Sequence, residues 1–282
     1  MKNKVFNIML VLIFVAGLSL LLYPMISNTY NDWLHKNTIV QYSNQVKQLE
    51  QEAFTRQLQM ATEYNAQLNQ RENPYDLPED MLTQYNQLLN LSGNGVMGYI
   101  EIPSIDVTLP IAHGADEDVL QRYIGHLEWS SLPVGGENTH CVISGHRGLP
   151  SSELFTNIDH LERGDRFYIH VLGQTLEYQV CHIAVVEPTD QTLLRVEEGQ
   201  DLVTLVTCTP YGINSHRLLV RGMRRGTQAT EPTDDVYIKN EVTGIDPLIL
   251  VVAVLVVVAV AAFVVALLST KKRKKEAHKD EK

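Results

Sequence analysis

Cysteine is scarce in this chain: there are three in 282 residues, Cys141, Cys181 and Cys208. An odd number cannot all pair internally, so at least one thiol is free or bonds to another chain. Basic residues are also few, 23 Lys and Arg against 33 Asp and Glu, for a net charge of −10. Two lysines and no acid lie in residues 1–27, and seven basic residues and three acids lie from Pro247 onward. Residues 28–246 therefore hold 14 basic and 30 acidic side chains, a net of −16. A stretch that acidic repels phosphate backbones, so nucleic acid is not an expected partner. No internal repeat is present, and no Ala-x-Ala-like cleavage site follows the first apolar run.

What the chain does have is two long apolar runs, residues 5–26 and 248–268. Each exceeds the roughly 18–20 residues that cross a hydrocarbon core. A purely cytosolic enzyme is excluded on this reading, and so is a multi-span transporter. Basic clusters, Lys2 with Lys4 and the run from Lys271 to Lys275, lie outside both runs. The positive-inside rule then predicts a membrane protein with both termini cytoplasmic and the acidic middle extracytoplasmic. The first run is expected to be an uncleaved anchor, with a cleaved signal peptide as the alternative. The expected organisation is an anchor or signal at 1–27, a helical preface at 28–92, a β domain at 93–226, a linker at 227–246, a membrane helix at 247–269 and a basic cytoplasmic tail at 270–282.

In the preface, apolar residues recur at helical spacing: Val46, Leu49 and Ala53, then Ala61, Tyr64 and Leu68. This predicts one or two amphipathic helices, read as a solvated stalk packed loosely on the main domain. Asn73-Pro74-Tyr75-Asp76-Leu77-Pro78 interrupts the pattern, because two prolines in five residues do not fit a helix interior. A second helix is expected from Asp80, with Leu82, Tyr85, Leu88 and Leu89 on one side. After Gly93-Asn94-Gly95 the pattern turns to short β runs, expected at 97–102, 107–112, 139–144, 166–172, 175–187, 202–207 and 218–223. Short helices are expected at 116–126, 153–161 and 191–196, and a hairpin turn at Gly173-Gln174. Seven or eight strands with so few helices predict a mostly β fold, a closed or nearly closed barrel.

Cys208 ends the expected strand at 202–207 and precedes Thr209-Pro210-Tyr211-Gly212. A thiol where the chain leaves a sheet is accessible to substrate. Cys141 and Cys181 lie within strands and alternate with apolar residues, so both are expected in the core, a disulfide between them being the alternative. A cysteine nucleophile needs a neighbour that raises its thiolate fraction, and a leaving amine needs a proton; histidine serves both. Among ten histidines, His146 stands just past a strand between two glycines in Ser144-Gly145-His146-Arg147-Gly148, which lets another backbone approach. His216 is the rival, eight residues after Cys208. Arg217 opens the next strand, where a guanidinium suits a developing oxyanion. The plain alternative is an ion pair with one of the many surface acids.

Thr204-Leu205-Val206-Thr207-Cys208 with Arg217 nine residues later, and the Ser-Gly-His-Arg-Gly segment upstream, resemble the sortases, cell-wall transpeptidases of Gram-positive bacteria. The runs from Gly98 to Pro103, from Ser144 to Pro150 and from Thr209 to Gly222 resemble the class C, pilus-building branch, over about residues 93–226. The resemblance implies an eight-stranded sortase β-barrel whose groove holds a Leu-Pro-x-Thr-Gly-like sorting signal, with no metal or organic cofactor. It implies Cys208 as nucleophile on the Thr carbonyl, Arg217 at the oxyanion and His146 as general acid and base for the Gly amine. The acyl group then passes to a lysine of the next pilin subunit. Class C enzymes carry a lid with an Asp-Pro-aromatic tip; here the matching place reads Asn73, Pro74, Tyr75, within 73–78. Asn73 cannot offer Arg217 a carboxylate, which implies a weaker latch unless Asp76 substitutes.

Two other functions remain to be weighed. Anchoring of surface proteins to a peptidoglycan amine differs only in the acceptor. A non-enzymatic surface protein with a sorting tail would need Leu-Pro-x-Thr-Gly before the second apolar run. That stretch, from Asn240 to Asp246, has Thr243-Gly244 but no Leu-Pro.

Overall fold

The computed structural model describes residues 2–226 and, in the second apolar run, residues 256, 257, 260, 261 and 264. The expected linker and basic tail, and most of the expected second membrane helix, lie outside the described residues. The chain divides into two compact units, residues 1–30 with 240–282, and residues 31–239. Helix α1 runs over Lys2–Gln48, and its apolar part belongs to the first unit. It is long and apolar enough to cross a membrane. Leu12, Leu20 and Leu21 stand exposed along it.

The second unit is built on a barrel of eight strands. They are β1 (Val96–Ile102), β2 (Val107–His113), β3 (Ile124–His126), β4 (Thr139–Ser144), β5 (Arg166–Val171), β6 (Gln174–Val186), β7 (Asp201–Thr209) and β8 (His216–Arg224). Round the closed barrel their order is β1-β2-β3-β4-β7-β8-β6-β5. Seven coincide with the expected β runs. β3 does not, because a helix was expected across 116–126. Only α4, Glu117–Leu120, is helical there, capped by the Asp116 carboxylate, which accepts the Val119 N–H at 3.0 Å. β3 is three residues long, too short to show a period, and it pairs in parallel with β2 and antiparallel with β4. The helices expected at 153–161 and 191–196 shrink to single 3-10 turns, Ile158–His160 and Thr192–Leu194.

The β5–β6 turn sits one residue earlier than expected, at Leu172 and Gly173, with φ of 49° and 76°. Positive φ at both central positions matches the twist of the flanking strands. Leu172 adopts it despite its side chain, which is buried, while its N–H donates to the Tyr42 hydroxyl at 2.9 Å. Tyr42 in turn donates to the Met97 carbonyl at 3.0 Å, tying the latter part of α1 to the barrel.

The expected loose stalk is overturned. Helices α2 (Gln51–Asn69) and α3 (Glu79–Gln87) send Ala61, Tyr64, Leu68 and Tyr85 into one apolar core with barrel residues such as Ile100, Cys141, Phe167 and Val203. The Asn65 amide clamps α2 down, accepting the Leu132 N–H at 2.8 Å and donating to the Leu132 carbonyl at 3.1 Å. Burial of that apolar stripe is what holds a helix whose own propensity is modest.

Strand β7 lies between parallel β4 and antiparallel β8 and is buried on both faces from Leu202 to Thr207. Alternate residues diverge: Val203 and Leu205 enter the barrel core, whereas Val206 joins Val142, Leu194 and Leu219 in a separate cluster on the outer face. That outer face carries the site.

Candidate active site

Cys208 follows Val206 by two, so it lies on the same outer face, half-buried at the end of β7. Its partner across the ladder is Arg217, as Val206 pairs with Leu219. Directly opposed residues of an antiparallel pair share a face, with Cβ atoms about 4.5–5.5 Å apart. On the other side, the β4–β7 ladder ends at Ser144 opposite Val206. Gly145 carries it one step further, donating its N–H to the Val206 carbonyl at 3.0 Å, while the Thr207 hydroxyl donates to the Gly145 carbonyl at 2.8 Å. Continuing that register, His146, two residues past the end of β4, comes level with Cys208. His146, just past β4, thus lines up with Cys208 of β7 and Arg217 of β8, with Val186 of β6 paired beyond Arg217.

The rival His216 falls on the other face, opposite Thr209, and its ring contacts the Ser215 hydroxyl at 2.8 Å. Arg217 does not make the ion pair of the alternative reading. Its Nη1 donates to the carbonyls of Asn214 at 3.2 Å and His216 at 3.1 Å. Among the described residues no carboxylate lies within ion-pair distance of it. The guanidinium is steadied by its own loop and keeps donors available.

Both glycines beside His146 are required by close approach, though of side chains rather than of backbone. A Cβ at Gly145 would stand 2.6 Å from the Phe155 ring and 2.9 Å from Ile124. One at Gly148, where φ is 78°, would meet the Tyr211 ring at 2.9 Å. The Phe155 N–H also donates to the His146 carbonyl at 3.1 Å, so the loop is held from both ends. The guanidinium of Arg147, next to His146, pairs with Asp159 at 2.5 Å and lies 5.8 Å from the Tyr211 ring centre.

Residues 100–225 match the Sortase domain family. Sortase D of Bacillus subtilis (strain 168) is 30% identical over 130 residues, which are 45% of this chain and 63% of that protein. The chain so spans less than two thirds of that relative's length. Sortase C1 of Streptococcus agalactiae is 45% identical with a TM-score of 0.66, covering 67% of this chain and 98% of that one. The chain belongs to the sortase family.

Two further solved structures carry the likeness into class C. Sortase C of Streptococcus pneumoniae, whose structure is described as informing catalysis and pilin substrate specificity, is 43% identical over 67% of this sortase and 97% of that chain, at a TM-score of 0.60. Sortase C of Clostridium perfringens, solved with the C-terminal cell wall sorting motif, is 42% identical over 67% of this sortase and 98% of that chain, also at 0.60.

The other two thiols of this sortase stand apart from the row. All three cysteines are free, so Cys141 and Cys181 do not pair. Cys141 is in the core as expected, and burial pushes its thiol well above the usual range. Cys181 departs from expectation. It is only half-buried, at an irregularity in the β6–β8 register, with its Sγ 3.4 Å from the Arg221 carbonyl.

The segment expected as a lid lies beside the outer-face cluster of this sortase. The Tyr75 ring meets Trp129 edge-on at 4.9 Å, and Trp129 packs against the cluster of Val142, Leu194, Val206 and Leu219. Asn73 spends its Oδ1 on the Tyr75 N–H at 3.2 Å, within its own turn. Neither Asn73 nor Asp76 reaches Arg217; the Asp76 carbonyl instead accepts from Arg71 at 2.7 Å. Trp129 gave no signal in the sequence, since a lone loop aromatic has no pattern to mark it. Glu117, whose carboxylate stands 3.6 Å from His146 Nε2, was likewise unmarked.

Proposed function

We propose that this sortase is a membrane-anchored transpeptidase that cleaves a Leu-Pro-x-Thr-Gly-like signal between Thr and Gly and joins the Thr to a lysine amine of a pilin subunit. The supporting observation is the pairing of Cys208 with Arg217 across β7 and β8, with His146 just past the end of β4 beside β7. The Cys208 sulfur, as thiolate, attacks the Thr carbonyl carbon. Arg217 donates to the oxygen as negative charge develops there. His146, protonated, gives its proton to the Gly nitrogen as the C–N bond breaks, leaving a thioester on Cys208. An incoming amine then attacks the thioester, its proton passes to His146, and the thiolate leaves as the amide forms.

The same reading takes α1 as the membrane anchor, residues 93–226 as the catalytic domain outside the membrane, and residues 73–78 as a lid over the outer face. Tyr75 covers the approach through Trp129, and the lack of a carboxylate on Arg217 makes the latch weak. The choice of a pilin acceptor rests on the class C likeness.

The deciding experiment mixes the full chain, parent and C208A, with candidate pilins bearing such a signal. A Cys208-dependent ladder of covalent multimers supports polymerisation. Transfer solely to a peptidoglycan-like amine would replace the pilin acceptor with wall anchoring, and equal activity in C208A would refute the mechanism.

A further inference from the structure

One charged group outside the row faces His146. Glu117 opens α4, directly after the Asp116 cap. Its Oε1 accepts from Gln121 Nε2 at 2.5 Å, one turn along, which fixes the rotation of the carboxylate. The other oxygen, Oε2, stands 3.6 Å from His146 Nε2. That nitrogen is buried and has no hydrogen-bond partner. The separation is too long for a good hydrogen bond but within ion-pair range. Strand β3 sits between the two segments, following α4 and pairing with β4 through Gly125 and Ser144, so the spacing is set by a ladder rather than by loose loops.

We propose that Glu117 is a positioning residue for His146, holding its Nε2–H toward the carboxylate and leaving Nδ1 for the sulfur and the departing amine. This deepens the reading of His146 as the proton donor and rests on it. A neutral imidazole carries one N–H, and the group opposite one nitrogen decides which tautomer forms. A base oriented by a third group is a general feature of nucleophilic catalysis. The carboxylate also attracts the imidazolium more than the neutral ring, and so favours the form of His146 that gives its proton to the Gly nitrogen. The Glu117 side chain is 71% exposed, so water and salt weaken the effect. A change of about two- to fivefold in kcat at low ionic strength is expected, shrinking in high salt.

The test uses the full chain in detergent, labelled with 15N-histidine, as the parent and as E117A, E117Q, E117D, H146A and C208A. Cleavage of a quenched-fluorescent Leu-Pro-x-Thr-Gly peptide is measured alongside ring 15N shifts at mildly alkaline pH. The expected result is a lower kcat with unchanged KM in E117A and E117Q, and partial recovery in E117D. The His146 ring should show a single Nε2–H form in the parent and a mixture in E117A, with unchanged thermal midpoints. Unaltered kcat and ring shifts in E117A overturn the role of Glu117, as does a fall in kcat with the ring pattern intact. Turnover surviving in H146A or C208A instead overturns the reading of the row beneath it.

Discussion

Cys208 and Arg217 stand directly opposite each other near the end of the β7–β8 ladder that the 210–215 turn joins, so backbone pairing rather than a side-chain ion pair sets their separation. The nearest bonds of the guanidinium are to two loop carbonyls, Asn214 and His216. A cation held this way keeps its charge uncompensated beside the sulfur.

Removing that cation therefore has a defined consequence. R217A is expected to lower kcat/KM for sorting-peptide cleavage by about 10²–10³, the usual loss for one oxyanion donor. R217K keeps the charge but not the planar fork, and is expected to restore only part of it. Circular dichroism should be unchanged in both. Parent-like turnover in R217A would remove Arg217 from the mechanism.

If residues 73–78 act as the proposed lid, loosening the contact of Tyr75 with Trp129 should open access to the thiol. An edge-on aromatic pair contributes about 0.5–1.5 kcal/mol, so Y75A should speed maleimide labelling of Cys208 by roughly two- to tenfold. Deleting residues 73–78 should do at least as much. C141A and C181A backgrounds assign the label to Cys208. Identical labelling rates with and without the segment would rule out a lid.

Gly145 is a packing requirement. A methyl group there meets the ring of Phe155, which is fully buried, so neither can retreat cheaply. G145A is expected to cost about 1–3 kcal/mol through overpacking. For a domain of this size each kcal/mol lowers the thermal midpoint by about 2–4 °C. A midpoint within 1 °C or so of the parent would show that the Phe155 ring moves freely.

Acid sensitivity follows from buried histidines, most strongly His126 and His140, with His35 and His113 also held below the ordinary value by burial. Burial holds His126 down to about 3 and His140 down to about 4, against an ordinary value of 6.5. His126 offers Nε2 to the Ser131 carbonyl at 2.9 Å, and His140 bridges the Arg195 carbonyl and the Thr204 hydroxyl, both at 2.7 Å. Below pH 6.5 the unfolded chain binds protons that the folded rings refuse, so stability is full above that pH and falls on acidification. The slope is about 1.4 kcal/mol per pH unit for each ring, flattening near pH 4 for His140 and near pH 3 for His126. Urea midpoints at pH 7, 6 and 5 should show it, and H140Q should make the slope shallower. A flat profile between pH 7 and 5 would contradict the buried neutral rings.

Much of this architecture was legible because strands and turns announce themselves locally. The apolar runs at β7 and β8, the alternation in β5, and the change of pattern after Gly95 needed no knowledge of neighbours. Their failures were also physical. β3 has only three residues, too few for a period to emerge from Tyr123-Ile124-Gly125-His126. The β5–β6 turn shifted because burial of the Leu172 side chain and its bond to Tyr42 stabilise a positive φ that its type does not favour.

By itself the sequence determined the membrane-length first run, the β-rich middle, and the residue types, thiol, imidazole and guanidinium, at the ends of their strands. Tertiary structure alone decided that β4, which ends 64 residues before Cys208, lies parallel beside β7. It also decided that α2 and α3 are buried rather than solvated, and that Glu117 faces His146. The reason is that periodicity records which side of a strand or helix is apolar, a property of one segment. Which segment covers that side is settled only when the barrel closes and all eight strands bury their inner faces together.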